Sequence, residues 1–359
     1  LSLPSGYNYQ VGEELVEPRL MQKHVAVLAK EHRQFLVMSD MGTGKSLAAQ
    51  LAVKADGAKR ILVIPINSCV DQWINDFSHQ WTGNRVLRIG RPFLKKLESG
   101  SQVSMSENEA VVWVLPAHLL SLMRDEEVAA LAQSLEPDAV IADEIHVFKT
   151  RESKGESKRR IQTKKLLALI AEQKPNRMVL GLSGTVIVNS LTEGKALLEL
   201  VTGEERDDLP TGTGLNQAMR MHQALMATGI RQRMENDFTV HIYRPQIDAS
   251  HLIDEVRLAL HHPPRQRPLR LERVLIEARI PYVVKAIGDQ PTVIASQYVE
   301  GFVGPLRDAI TAAGYSVGVH TGQEKFPVAG HNDAIEAFKA GAIQVLIGSI
   351  QTICTGIDG

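Results

Sequence analysis

The run FLVMSDMGTGKSLAAQ, residues 35 to 50, carries the types and spacing needed to hold a phosphate chain. Gly42 and Gly44 let the backbone at Met41, Gly42, Thr43 and Gly44 curl so that successive N–H groups point inward. Such a concavity at a helix N-terminus favours anions. Lys45 is spaced to reach outer phosphates, and the Ser46 hydroxyl to bind Mg²⁺. The strict form of this loop has a glycine six residues before the lysine; Ser39 stands there, so the match is to a relaxed form. The second chemical signal is PDAVIADEIH, residues 137 to 146. Asp143 and Glu144 fall at the carboxyl end of a strand, where open α/β sheets place ligands. Adjacent carboxylates can divide the work, Asp143 holding Mg²⁺ through water and Glu144 polarising an attacking water. An isolated acidic pair is ordinary surface charge; the upstream phosphate loop gives this one a chemical context.

Three further features read two ways. Gln22, in PRLMQKHV, lies on a stretch of helical spacing; its amide both donates and accepts, which suits an adenine edge or a solvated helix face equally. The run from Lys149 to Lys165 holds eight Lys/Arg against two Glu. It is either a solvated face or a phosphate-contacting element. Ser183, Gly184 and Thr185 close an apolar strand, as a plain turn or as small hydroxyl groups that respond to a phosphate. His261 and His262 have no partner at metal-ligand spacing and read as loop residues.

The elements that must position these groups alternate. Apolar runs at Phe35–Met38, Arg60–Ile66, Val86–Ile89, Ala110–Leu115, Val140–Ala142 and Met178–Leu182 read as buried strands. Amphipathic stretches lie between them: one capped by Ser68 with Val70, Trp73, Ile74 and Phe77 on one face, one running from Pro116 to Ala132, and one opened by the capping box Ser190–Glu193. Buried strands alternating with helices predict a parallel sheet covered on both faces. From Thr202 to Leu271 the character changes: a helix from Leu215 to Met234, a strand in FTVHIYRP, and a linker-like loop in HHPPRQRPLR. A second series follows, with strands at Thr292–Ala295, Ser316–His320 and Gln344–Gly348 and helices around Leu306 and from Asn332 to Lys339. The fold class is therefore α/β, with two parallel-sheet units in tandem.

At 359 residues, two or three units are the prior. The net charge of −1 excludes a global positive field, so any nucleic-acid surface must be local. Two cysteines, Cys69 and Cys354, fit a reducing cytosol and supply neither a disulfide framework nor a zinc site. No apolar run approaches the ~20 residues that span a bilayer. With no signal peptide, a cytoplasmic protein with no membrane partner is expected. Residue 1 is Leu rather than Met, which points to a processed or shortened N-terminus.

With this order of motifs the chain resembles the superfamily-two helicases and translocases, nearest the Swi/Snf-type DNA-translocating ATPases. LMQ resembles the adenine-reading glutamine motif and SDMGTGKS the Walker A motif. IPINSCVDQW resembles the motif that follows, including its terminal tryptophan. DEIH is a DEAH-box variant, LSGTVIVN resembles LTGTPIQN, VIASQYVEG resembles the VLIFSQF-like strand, and GSIQTICTGID matches the serine-to-GID motif. Ser39, Ile145 and Val186 depart from the commonest letters. Coverage runs from about residue 18 to the end and thins between 202 and 271.

The resemblance implies two RecA-like lobes with ATP between them: an ATP-binding lobe at 1–203, an insertion and linker region at 204–271, and a second lobe at 272–359. Carried over, Lys45 and Ser46 hold phosphates and Mg²⁺, and Gln22 meets adenine. Asp143 and Glu144 serve Mg²⁺ and water, while His146, Ser183, Gly184 and Thr185 couple hydrolysis to movement. Pro65, Ser68, Pro116, His118, Ser296 and Ser349 lie along the nucleic-acid track. Gly356 and Asp358 join the nucleotide site from the second lobe, Asp358 at the ribose. The family's last motif, whose arginines stabilise the transferring phosphate, is missing from the chain, so an incomplete second lobe and a shortened chain are expected; such an arginine is worth about 10³–10⁵ in rate. The implied function is an ATP- and Mg²⁺-dependent motor on double-stranded DNA, with protein partners in DNA defence, repair or modification. The alternatives are a strand-separating helicase and an ATP-gated DNA-binding subunit that hydrolyses little.

Overall fold

The computed structural model describes residues 9–11, 14–40, 42–80, 84–98, 109–148, 155–187, 190–232, 244–321 and 333–353. The chain divides into two compact units, Leu1–Asn236 and Asp237–Gly359.

The first unit opens with a small antiparallel hairpin, β1 (Tyr9–Val11) and β2 (Glu14–Val16). Its main sheet is built from β3 (Gln34–Val37), β4 (Arg60–Ile64), β5 (Asn84–Arg88), β6 (Ala110–Val114), β7 (Ala139–Ala142), β8 (Met178–Leu182) and β9 (Gly229–Ile230). The spatial order is β5-β6-β4-β7-β8-β3-β9, and every pairing is parallel. The near-continuous apolar runs follow from cover on both faces. Alternate residues of each strand enter opposite cores: Leu36, Leu62, Ile64, Trp113 and Val140 on one side, Phe35, Val37, Ile61, Val63 and Ile141 on the other. Helices Leu20–His32, Lys45–Asp56 and Val70–Gln80 cover the second side through Val25, Leu51, Trp73 and Phe77. Helices Asp125–Leu135, Lys158–Gln173, Leu191–Thr202 and Leu215–Thr228 cover the first.

The second unit holds a parallel sheet of three described strands, β10 (Thr292–Ser296), β11 (Val317–His320) and β12 (Val345–Ser349), in the order β10-β12-β11. Leu306 and Ile310 of helix Val303–Ala312 pack with Val345 and Ile347; Ala334 and Ala337 of helix Ala334–Lys339 pack with Leu346. The two-sheet α/β architecture expected from the alternation is present. Among the described residues no helix is long and apolar enough to cross a membrane.

Several local expectations are corrected. The helix expected from Pro116 to Ala132 is two helices, Ala117–Leu120 and Asp125–Leu135. The Ser121 hydroxyl donates to the His118 carbonyl at 2.6 Å, and the Glu127 carboxylate accepts from the Arg124 N–H at 2.6 Å, which closes one helix and opens the next. Ser68 sits inside a 3₁₀ turn, Asn67–Cys69, ahead of helix Val70–Gln80 rather than at its cap. Ser190 precedes helix Leu191–Thr202 but makes no side-chain cap bond. The proline-rich HHPPRQRPLR contains the start of a helix, Arg267–Ala286. Pro268 falls in its first turn, where no N–H is required. The helix at Leu215 ends at Thr228, because Gly229 turns the chain into β9. A Cβ at Gly229 would lie 2.3 Å from the Leu36 carbonyl oxygen, so only glycine permits that approach. The strand expected in FTVHIYRP and the start of the basic run, 149–154, lie outside the described residues.

Candidate functional site

The phosphate loop links the carboxyl end of β3 to helix Lys45–Asp56. Gly42 (φ 76°) and Gly44 (φ 78°) take the left-handed conformation that curls the loop. Gly44 is pressed from behind by Gln22, whose Nε2 donates to the Gly44 carbonyl at 3.4 Å; a Cβ on Gly44 would lie 2.5 Å from that nitrogen. Gln22 is only 2% exposed, and its Oε1 accepts from the Arg19 N–H at 2.9 Å. It is therefore a buried buttress of the loop and not a solvated helix residue. Lys45 Nζ and the Thr43 hydroxyl both donate to the Asp40 carbonyl, at 3.0 and 2.7 Å. The ammonium is thus folded over the loop, and the Ser46 side chain is half-buried beside it. Curled amides, a cation and a hydroxyl at one helix N-terminus fit a phosphate chain with its Mg²⁺. Met41 lies outside the described residues.

The loop has a support that sequence reasoning missed. Ile230 and Gln232 accept from the Met38 and Asp40 N–H groups at 2.8 and 3.0 Å, and the Gln232 N–H donates to Ser39 Oγ at 3.3 Å. Ser39 is fully buried. The departure from glycine at this position therefore has a function: its hydroxyl anchors the chain that runs past β9. No periodic signal marks a two-residue strand, although the isolated Gly229 after an apolar helix is a trace of it.

At the carboxyl end of β7, Asp143 is 6% exposed. Its Oδ2 accepts from the Trp73 indole N–H at 2.7 Å and its Oδ1 from the Glu144 N–H at 2.9 Å. Burial pushes its carboxyl up to about 6, and the Glu144 charge adds to this; the Trp73 hydrogen bond, the Glu144 amide and Lys45 oppose it. Asp76, one turn along from Trp73, is also pushed up to about 6, again by burial, with His79 opposing and the Asp143 charge adding. Glu144 has φ 45°, left-handed and costly for a side-chain-bearing residue. Such backbone strain recurs at functional sites. The turn presents the Glu144 carboxylate to His146, Oε2 to Nδ1 3.0 Å, and the same Nδ1 lies 3.1 Å from Ser183 Oγ. The Ser183 hydroxyl also accepts from the Thr185 N–H at 3.1 Å, with Gly184 between them, and the Ser183 N–H donates to Val37 of β3. Lys45, Asp143, Glu144, His146 and Ser183 thus stand on the carboxyl ends of the adjacent strands β3, β7 and β8.

The raised Asp143 pKa fixes a sign. The fold favours the protonated form, so its contribution is fully present below the ordinary value near 3.8 and is lost as pH rises through about 6. Asp143→Asn removes the ionisation. Relative to the parent, its unfolding free energy in urea is expected to move by about 2 kcal/mol in the variant's favour between pH 4 and pH 7.5. A pH-independent difference would refute the buried-carboxylate account.

Of the residues assigned to a nucleic-acid track, four lie in the first unit. Pro65 and Pro116 follow the neighbouring strands β4 and β6, and the Ala117 N–H donates to the Pro65 carbonyl at 2.8 Å. Ser68 is exposed in its 3₁₀ turn. His118 is half-buried; burial, then the charges of Arg159 and Arg88, hold its pKa below the ordinary value. Of these two cations, Arg88 also pairs with Asp71 at 3.2 Å. In the second unit, Ser296 and Ser349 are register partners at the ends of β10 and β12. Gly356 and Asp358 lie outside the described residues. The basic run is corrected at Arg160, which is 1% exposed and donates to Glu156, the Phe148 carbonyl and the Ala196 carbonyl at 2.7, 3.1 and 2.9 Å. Lys164 and Lys165 pair with Glu156 and Asp125. Most of the described run holds the fold together rather than facing a ligand.

Residues 19–193 match the family model described as DEAD/DEAH box helicase, a stretch that contains the phosphate loop, the acidic pair and the Ser183 turn. Among solved structures, the chain is similar to the Sulfolobus solfataricus SWI2/SNF2 ATPase core in complex with dsDNA, at 15% identity and TM-score 0.50. That likeness covers 97% of this chain and 80% of that one. It is also similar to the Pyrococcus furiosus Hef helicase domain, at 12% identity and TM-score 0.48, covering 92% and 86%. No curated protein matches by sequence.

Proposed function

We propose, on the premise that residues 19–193 form a DEAD/DEAH box helicase domain, that this chain is an ATP-dependent translocase acting on duplex DNA. The observation that carries the reading is the convergence of Lys45, Asp143, Glu144, His146 and Ser183 on one edge of one sheet. Lys45, Ser46 and the amides of the loop hold the phosphates of ATP, and Ser46 and Asp143 serve its Mg²⁺. When bound, Mg²⁺ neutralises charge on the phosphates. Glu144 takes a proton from the attacking water, and His146 joins that carboxylate to Ser183. Ser183, Gly184 and Thr185 therefore sense the state of the site.

The choice of duplex DNA is supported by the likeness in fold to the Sulfolobus solfataricus SWI2/SNF2 ATPase core, a structure in complex with dsDNA. Arg88 and Arg159, the two cations near His118, suit phosphate contacts that carry no sequence information, as do the loops that carry Pro65, Ser68 and Pro116. In the second unit, Ser296 and Ser349 at the ends of their paired strands are the candidates for the same role.

Lys45→Ala is expected to weaken Mg·ATP binding by about 10-fold or more, because a charge-assisted hydrogen bond contributes about 1.5–3 kcal/mol. Isothermal calorimetry checks this, and equal affinity would remove the phosphate-loop assignment. Duplex DNA should stimulate the parent's ATP turnover and permit displacement of a third strand from a triplex. Turnover indifferent to DNA would remove the translocase reading and leave the nucleotide site standing.

A further inference from the structure

We infer that Trp73 is a positioning residue for Asp143, fixing the plane of its carboxylate for the cation. The inference rests on the reading that Asp143 serves Mg²⁺. Trp73 is fully buried in helix Val70–Gln80 and stacks on Phe77 at 5.8 Å between centroids. Its indole N–H reaches across to the end of β7 and donates to Asp143 Oδ2 at 2.7 Å. Burial alone does not force such a bond in this protein. Trp113 on β6 is equally buried, and its indole nitrogen has no hydrogen-bond partner among the described residues. What distinguishes Trp73 is its acceptor, an acid at the mouth of the site.

The carboxylate is held at two points. The Glu144 N–H fixes Oδ1 from the chain's own next residue, and Trp73 fixes Oδ2 from a separate helix. Without the indole bond, rotation about the Cβ–Cγ axis is opposed by one hydrogen bond only. The remaining lone pairs of both oxygens then lose a defined direction. Groups that orient a metal-binding side chain in this way change metal affinity by about 10–100-fold when removed.

Trp73→Phe deletes the N–H and keeps the packing ring. The experiment is a Mg²⁺ titration of ADP binding, followed with a fluorescent ADP analogue, for the parent, Trp73→Phe, Asp143→Asn and the double variant. The Mg²⁺ midpoint of Trp73→Phe is expected to rise by about 10–100-fold. Affinity for the same nucleotide in EDTA should stay at the parent's value. On the Asp143→Asn background, Trp73→Phe should change nothing further, because the acceptor's orientation no longer matters. An unchanged midpoint, or an equal loss in EDTA, overturns the inference, the second outcome marking a purely structural tryptophan. A parent whose ADP binding ignores Mg²⁺ overturns the metal reading of Asp143 itself, and this inference with it. If Trp73→Phe does not fold, the parent labelled with ¹⁵N-tryptophan decides. An indole resonance that moves on adding Mg²⁺ to the ADP complex, and is silent in Asp143→Asn, supports the inference; static indole resonances overturn it.

Discussion

Glu144→Gln is expected to keep nucleotide and Mg²⁺ binding while lowering ATP turnover by about 10²–10⁴-fold, the usual contribution of a positioned general base. The substitution preserves volume, so the left-handed turn at residue 144 and the 3₁₀ turn Ile145–Phe148 behind it can persist. What it removes is the carboxylate that accepts a proton and faces His146 Nδ1 at 3.0 Å. An amide oxygen can still accept from His146, so the chain to Ser183 survives while the base does not. Steady-state turnover with duplex DNA, set beside calorimetric ADP affinity, separates the two. If the variant turns over like the parent, the proton leaves by another route.

Arg160→Met should destabilise the first unit by about 3–5 kcal/mol, the cost of breaking a buried charge network by removing one partner. The guanidinium bonds to Glu156 and to the carbonyls of Phe148 and Ala196, and lies 3.8 Å from Glu199. It thereby ties the turn that follows Asp143 and Glu144 to helix Leu191–Thr202, which follows the Ser183 turn. Methionine fills the space but takes the guanidinium's hydrogen bonds away from the Phe148 and Ala196 carbonyls and from Glu156. Urea unfolding at pH 7.5 measures the loss. A change under about 1 kcal/mol would mean that water replaces the guanidinium and the network is not needed for folding.

That arginine also shows where sequence reading stops. Charge density such as that of SKRR, residues 157–160, is a property of a stretch, whereas burial is a property of one side chain, and Arg160 differs from Arg159 only in the direction it leaves the helix. The strands β3, β4, β6, β7 and β8 were legible because both their faces are covered and every residue reports burial. The groups of the candidate site could be named in advance because each calls for a particular residue type at the end of such a strand. Gln22 could be read as a candidate, but its contact with Gly44 depends on how helix Leu20–His32 packs on helix Lys45–Asp56. The break at Ser121 turns on two side-chain bonds that periodicity does not register. The helix opening at Arg267 was hidden by Pro268, which looks like a loop residue and is harmless in a first turn. β9 was invisible because two residues have no period.

The anchoring of the phosphate loop by Ile230 and Gln232 sets an order of events during synthesis. Ser39 and Gln232 are 193 positions apart. At about 5–20 residues per second, the ribosome adds that length in roughly 10–40 s. For that time the segment around Lys45 exists with its helix available and one flank unbonded, since Met38, Ser39 and Asp40 await partners still inside the tunnel or not yet made. β8 arrives earlier, so β3 is an edge strand for an interval before β9 closes it. A nascent chain halted between residues 189 and 229 would carry every motif of the first unit and an uncovered edge beside its phosphate loop, the template on which mispairing begins.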